Sequence, residues 1–311
     1  LVAGGLLRPR EPAGHKGTSG YLLLAAGSPG MAGAAVLAAR AAYRAGAGIV
    51  RVLGDPENLE ILQRAVPGAI YAPWWGVDNA PEEVATEEVA GAASVEAHVE
   101  WAHALAIGPG LGRAPGRREL VDALLGARGD RPVVLDADGL NLYADDPDAL
   151  AARLTDADVV TPHPGELGRL LGRSAGEIGE DPPDAARAAV DALGCVVVLK
   201  GSPTVVATAG EPLRVAVTGG PALAVGGTGD VLTGAVGAAL AAGYPAADAA
   251  TVALLLTGLA AERTGFGEIG MVAEDVPDAI PGARAAVESL APEGRGAVRF
   301  ALETAGGEAG Q

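Results

Sequence analysis

From residue 21 onward, short apolar runs alternate with stretches whose apolar residues recur at helical spacing. That alternation predicts β-α-β units around a mainly parallel sheet. Strands are predicted at 21–26, 48–53, 104–107, 132–136, 159–161 and 195–200. Two further β-like runs, 204–208 and 213–217, flank Ala209-Gly210-Glu211-Pro212, a turn signal that predicts an antiparallel pair at one end of the sheet. Helices are predicted at 32–45, 57–64, 117–125, 147–154, 165–171 and 183–193, followed by two long Ala/Leu helices at 229–242 and 246–264 and a short one at 282–290. The remaining tail is expected to fray. No stretch is rich enough in Ser, Pro or charge to divide the chain, and no repeat is visible. One domain is therefore expected over 15–290, with 1–14 as an N-terminal extension or linker remnant and 291–311 as a C-terminal tail.

Composition sharpens this outline. The 311 residues are 49% hydrophobic, ample for a buried core, yet only 3% are aromatic while 47 are glycine. Close backbone packing of helices on a sheet, rather than a core filled by rings, follows from that balance. A net charge of -17 argues against nucleic acid and anionic membranes as partners. A polyanionic ligand would have to be held by backbone N–H groups and a few placed cations. The single cysteine, Cys195, lies in an apolar run, so neither a disulfide framework nor a Cys/His zinc pattern can be written. Residues 1–10 do not read as a signal peptide, and the longest apolar stretch, 251–261, falls short of a membrane span, so a cytoplasmic location is expected. The Ala-rich helical faces lead us to expect a homo-oligomer.

The strongest chemical signal is Gly226-Gly227-Thr228-Gly229-Asp230, which runs directly into a helix-forming segment. Glycines at a helix start expose unpaired N–H groups at the positive end of the dipole, a site for phosphate. Four glycines, Gly226, Gly227, Gly229 and Gly234, exceed what a cap needs. Asp230 could take a proton from a hydroxyl attacking phosphorus, or could merely cap the helix. Asp136-Ala137-Asp138-Gly139-Leu140-Asn141 follows a strand at its carboxyl end, where carboxylates could position Mg²⁺ through water or orient a ligand hydroxyl; a turn closed by Asx side chains is the plainer reading. In Thr161-Pro162-His163-Pro164-Gly165-Glu166, two prolines hold His163 extended, for a ligand contact or simply a rigid turn. Lys200-Gly201-Ser202-Pro203-Thr204 delivers a cation that could neutralise a nucleotide phosphate or guard an edge strand. The Gly27–Ala34 loop and Gly108-Pro109-Gly110-Leu111-Gly112 are each as consistent with close packing as with binding. Walker, dinucleotide-binding, zinc-protease and nucleophile-elbow patterns are missing from the sequence.

Taken in order, and together with His15-Lys16-Gly17, these motifs resemble the ADP-dependent NAD(P)H-hydrate dehydratase family, a branch of the ribokinase-like superfamily; the likeness spans roughly 15–290. The resemblance implies a three-layer α/β/α sandwich and the dehydration of NADH or NADPH hydrate at the expense of ADP, with Mg²⁺. Asp230 would assist phosphate transfer to the ring hydroxyl, elimination of phosphate would restore the dihydronicotinamide, and AMP would remain. Gly227 and Gly229 would stabilise the transferring group. Ala34, Gly110, His163 and Asp230 would contact the hydrate, and Lys200, Gly201, Ser202, Pro203, Thr204 and Gly229 the nucleotide. Asp136, Asn141 and Glu166 are further candidates, with no direct metal ligand implied. Gly220 and Val225 stand where the family carries Asn and often Thr, and Thr18-Ser19 replaces a usual acidic residue. An NAD(P)H-hydrate epimerase, separate or once fused, is the implied partner. A small-molecule kinase acting on a vitamin alcohol is the nearest alternative, and a nucleotide sensor that has kept the pocket is the alternative from another class.

Overall fold

A single sheet organises the computed structural model, which describes residues 3–9, 13–74, 94–289 and 301–302. The chain opens with β1 (Tyr21–Ala25), α1 (Ala32–Ala45), β2 (Ile49–Gly54), α2 (Leu59–Ala65) and β3 (Ile70–Pro73). Next come α3 (Val95–Trp101), β4 (Ala104–Ile107), α4 (Arg117–Ala127), β5 (Val133–Leu135), α5 (Asp138–Asn141), α6 (Pro147–Ala151) and β6 (Val159–Val160). α7 (Pro164–Leu171), α8 (Ala175–Glu180) and α9 (Pro182–Leu193) lead to β7 (Val196–Leu199), β8 (Thr204–Ala207) and β9 (Arg214–Ala216). The last elements are α10 (Thr228–Ala241), α11 (Ala246–Arg263), α12 (Asp275–Ser289) and β10 (Ala301–Leu302). In space the strands run β3-β2-β1-β4-β5-β6-β7-β8-β9-β10. They are parallel as far as β7 and antiparallel beyond it. The expected mainly parallel sheet with an antiparallel pair at one end is what forms.

Period-two alternation assigns the two faces. Leu22 and Leu24 of β1 belong to one core cluster, with α1, α10 and α11. Leu23 and Ala25 point into the other, with α4 and α9. Central strands such as Ala104–Ile107 and Val196–Leu199 are buried throughout, as parallel strands covered on both faces must be. Small side chains let the helices close in: a Cβ built on Gly234 of α10 would stand 2.0 Å from the Ala38 carbonyl oxygen of α1. Gly234 is thus a packing residue and not part of the glycine-rich turn that opens α10, a correction to its place among the four glycines above.

Several elements escaped the sequence reading. Edge strand β3 is short and ends in Pro73. The helix expected at 282–290 begins at Asp275 and carries Pro281 inside it. Val276, Ile280, Ala283 and Val287 form one buried stripe whose packing outweighs the lost hydrogen bond. Residues 301–302 pair with β9, so the tail is not wholly frayed; 290–300 and 303–311 lie outside the described residues. Cys195 is a buried core residue whose thiol is pushed up by burial and then by Asp158.

At the amino-terminal ends of β5 and β6, Arg128 and Asp158 form a buried two-pronged ion pair at 2.7 and 2.6 Å. Asp158 also accepts from the Val133 and Thr155 amides, at 3.0 and 2.7 Å. Asp158→Ala leaves Arg128 buried without its counter-charge, so we expect a loss of about 3–5 kcal/mol in urea unfolding.

Candidate active site

The strand order turns at β1, whose neighbours β2 and β4 are reached by connections running in opposite directions. Such a switch opens a crevice at the carboxyl ends of the strands. Its lips are the two glycine-rich loops: the Gly27 amide donates to the Pro109 carbonyl at 2.9 Å and the Ser28 amide to the Gly110 carbonyl at 2.6 Å. Buried Asn58 pins the same turn by donating to the Ser28 carbonyl at 3.2 Å. Gly108, at φ +127°, must be glycine because a Cβ there would stand 1.8 Å from the Asp136 carbonyl oxygen. Ala34 and Gly110 meet across the lips, and both are largely buried.

Asp136, at the end of β5, is 1% exposed and gives one oxygen to Lys200 Nζ at 2.6 Å and the other to Thr233 Oγ1 at 2.7 Å. Glu166 is buried, lies 3.8 Å from Lys200 Nζ, and accepts the His163 amide at 2.9 Å. His163 caps α7: its Nδ1 accepts from the Gly165 amide at 2.9 Å, its Nε2 stands 3.5 Å from Glu166, and half of its side chain remains exposed. The rigid turn and the exposed ring therefore coexist at this residue. Asn141 instead takes a hydrogen bond from Arg169 at 2.6 Å. Between Asp136 and Asp138, Ala137 is held at φ +47°, ψ -118°, a strained position anchored on both sides. Asp138 fixes the neighbouring lip by accepting the Gly112 amide at 2.9 Å.

Over this string stands the first turn of α10. Gly227, at φ +96°, opens the helix with no side-chain cap, so its leading amides face outward. A Cβ on Gly229 would be 3.3 Å from Lys200 Nζ. Asp230 follows, its pKa raised to about 7 by burial first, then by the charge of Asp136, against the opposing pull of Lys200. Burial alone would lower the pKa of Lys200, but Asp136, Glu166 and Asp230 outweigh it and hold the ammonium charged. A carboxylate poised near neutrality, a fixed cation and a cradle of amides are the parts needed to move a proton and stabilise an anion in one place.

Beside Gly229 opens a cavity of about 680 Å³, sized for a small molecule. Lys200, Gly201, Ser202, Pro203 and Thr204 form one wall, closed by the cis Ser202–Pro203 peptide, and residues 217–224 form a more apolar one. Gly220 lies on that second wall at φ +56°, ψ -169°, a conformation open chiefly to glycine. Thr233 and Asn58 were not singled out in the sequence. Thr233 is one helical turn beyond Gly229, a spacing that could have revealed it. His15-Lys16-Gly17 lies elsewhere, where the Lys16 carbonyl packs on Gly48 at the amino-terminal end of β2. Among the described residues no helix is long and apolar enough to cross a membrane.

A family model described as NAD(P)H-hydrate dehydratase matches residues 22–281. The bifunctional NAD(P)H-hydrate repair enzyme Nnr of Escherichia coli is 39% identical over 272 residues, covering 87% of this chain and 48% of the relative. Its Salinibacter ruber counterpart is 40% identical over 296 residues, covering 92% and 51%. The chain thus spans about half the length of the curated relatives it matches. Among solved structures, an ADP/ATP-dependent NAD(P)H-hydrate dehydratase from Bacillus subtilis, co-crystallised with ATP and Mg²⁺, superposes with a TM-score of 0.74 at 30% identity, covering 91% of this chain and 95% of that one. A hydroxyethylthiazole kinase from Pyrococcus horikoshii, at TM-score 0.57 and 20% identity, covering 85% of this chain and 88% of that one, shares the fold alone.

Proposed function

The chain belongs to the NAD(P)H-hydrate dehydratase family, and from that premise we propose that it returns hydrated NADH or NADPH to the reduced dinucleotide at the expense of ADP. The observation that carries the proposal is the placement of Asp230, with its raised pKa, at an uncapped helix start that shares its cleft with Lys200 and the 201–204 turn. In this reading Lys200, Gly201, Ser202, Pro203, Thr204 and Gly229 hold the nucleotide in the 680 Å³ cavity. Asp230, His163, Gly110 and Ala34 face the hydrate at the switch-point crevice. Asp230 accepts the proton of the ring hydroxyl as its oxygen attacks the terminal phosphorus of ADP, and AMP departs. The amides at Gly227 and Gly229 stabilise the charge spreading over the transferring group. Loss of phosphate from one ring carbon and of a proton from its neighbour restores the double bond.

Among the described residues no cluster of three His, Cys, Asp or Glu gathers to hold a metal. Asp136 spends both oxygens on Lys200 and Thr233. That donor set fits Mg²⁺ carried on the nucleotide phosphates within a shell of water, and not a cage built by the protein. Bound there, the ion would neutralise phosphate charge. An NAD(P)H-hydrate epimerase, fused or separate, would supply the matching epimer.

The deciding experiment supplies ADP or ATP, Mg²⁺ and chemically hydrated NADH or NADPH and follows the return of dihydronicotinamide absorbance. No return with either nucleotide overturns the proposal, and a stable phosphorylated alcohol in its place would mark a kinase. Because Asp230 must be ionised to accept a proton, turnover should rise with pH through an acid limb near 7. A limb at the ordinary Asp value, near 4, would separate the base from this residue.

A further inference from the structure

We propose that Arg113 receives the diphosphate of the dinucleotide substrate and so makes the enzyme select a dinucleotide hydrate over the hydrate of nicotinamide riboside alone; this rests on the dehydratase reading. Direction comes first. With the reacting ring at Asp230, the cavity on the Lys200 side is taken by the phosphoryl donor. The rest of the substrate must then run the other way, over the glycine-rich lips after β4 and β1.

Charge comes second. In a chain of net charge -17, few cations stand along that path. Lys200 is bound to Asp136, Arg169 to Asn141, and Arg117 is buried against Asp55 beneath the ring of Trp74. Arg113 differs. It directly follows Gly112, its side chain is 66% exposed, and its Nε lies 4.0 Å from Asp138 Oδ1, close enough to be oriented but beyond hydrogen-bond reach. Asp138 gives its other oxygen to the Gly112 amide and its charge reaches Asp230. Arg113 thus sits beside the reacting end of the crevice, where the group one ribose away from the ring must lie. A guanidinium fork pairs with two phosphate oxygens at once.

Arg113→Met and Arg113→Lys test this. For Arg113→Met the KM for NADH hydrate should rise about 10–100-fold, with kcat, the KM for ADP and the melting temperature unchanged. The KM for nicotinamide riboside hydrate, which has no diphosphate, should stay where it is, and Arg113→Lys should recover part of the loss. An equal rise for both hydrates, or none for the dinucleotide, overturns the proposal. Calorimetric titration with NADH reads the same contact without turnover, and its affinity should fall by the same factor. Unchanged NADH affinity overturns the proposal even where repair proceeds. Wild-type protein that binds NADH but repairs nothing overturns the dehydratase reading instead, and protein that does neither overturns both.

Discussion

Replacing Asp230 with Asn should lower kcat for hydrate repair by about 10²–10⁴-fold, the range of one well-placed general base, while leaving the fold intact. Its stability should move the opposite way. The Asp230 carboxyl has a native pKa of about 7 against 3.8 for an unperturbed Asp in the unfolded chain, so the folded chain binds more protons than the unfolded one between those pH values. Stability from this group is complete below about pH 4 and is lost as pH rises through about 7. At pH 8 the native protein carries an ionised carboxylate that its surroundings disfavour, and Asp230→Asn removes it. A melting scan at pH 8 should therefore show the variant to be the more stable protein, and at pH 4 the gap should close. An inactive variant that also melts lower at pH 8 would mean that Asp230 serves the fold instead.

Lys200→Met should damage both binding and folding. It leaves Asp136, only 2% exposed at its side chain, with the Thr233 hydroxyl but no cation. Removing one partner of a buried pair costs about 3–5 kcal/mol, measurable by urea unfolding. Lys200 also pulls the pKa of Asp230 down, so any residual activity should have its acid limb moved above 7. Adding Asp136→Asn removes the stranded charge and should recover most of the stability without recovering nucleotide binding by calorimetry. If the double variant binds ADP like the wild type, Lys200 is a structural cation only.

The layers and the parallel sheet were legible because β1, β4, β5, β6 and β7 are short runs apolar on both faces. α12 was not, because Pro281 reads as a stop until Val276, Ile280 and Ala283 are seen buried along one side. In the site, Asp136, Lys200 and Asp230 each stood at a strand end or helix start and could be named from their motifs. Their mutual contacts depend on strand order, which residue spacing does not encode. For the same reason Asp138 bonding to Gly112, and Arg113 beside it, were invisible until β4 and β5 were known to be neighbours. Gly234 was misassigned because a helical glycine looks the same in sequence whether it faces a ligand or another backbone.

That glycine has a mechanical consequence. With Ala38 pressed against it, α10 is seated closely along α1, so in the dehydratase reading its leading turn would need little movement to meet an arriving nucleotide. The amide dipoles are preorganised during folding, and little of the free energy of ligand association is needed to aim them at each catalytic cycle.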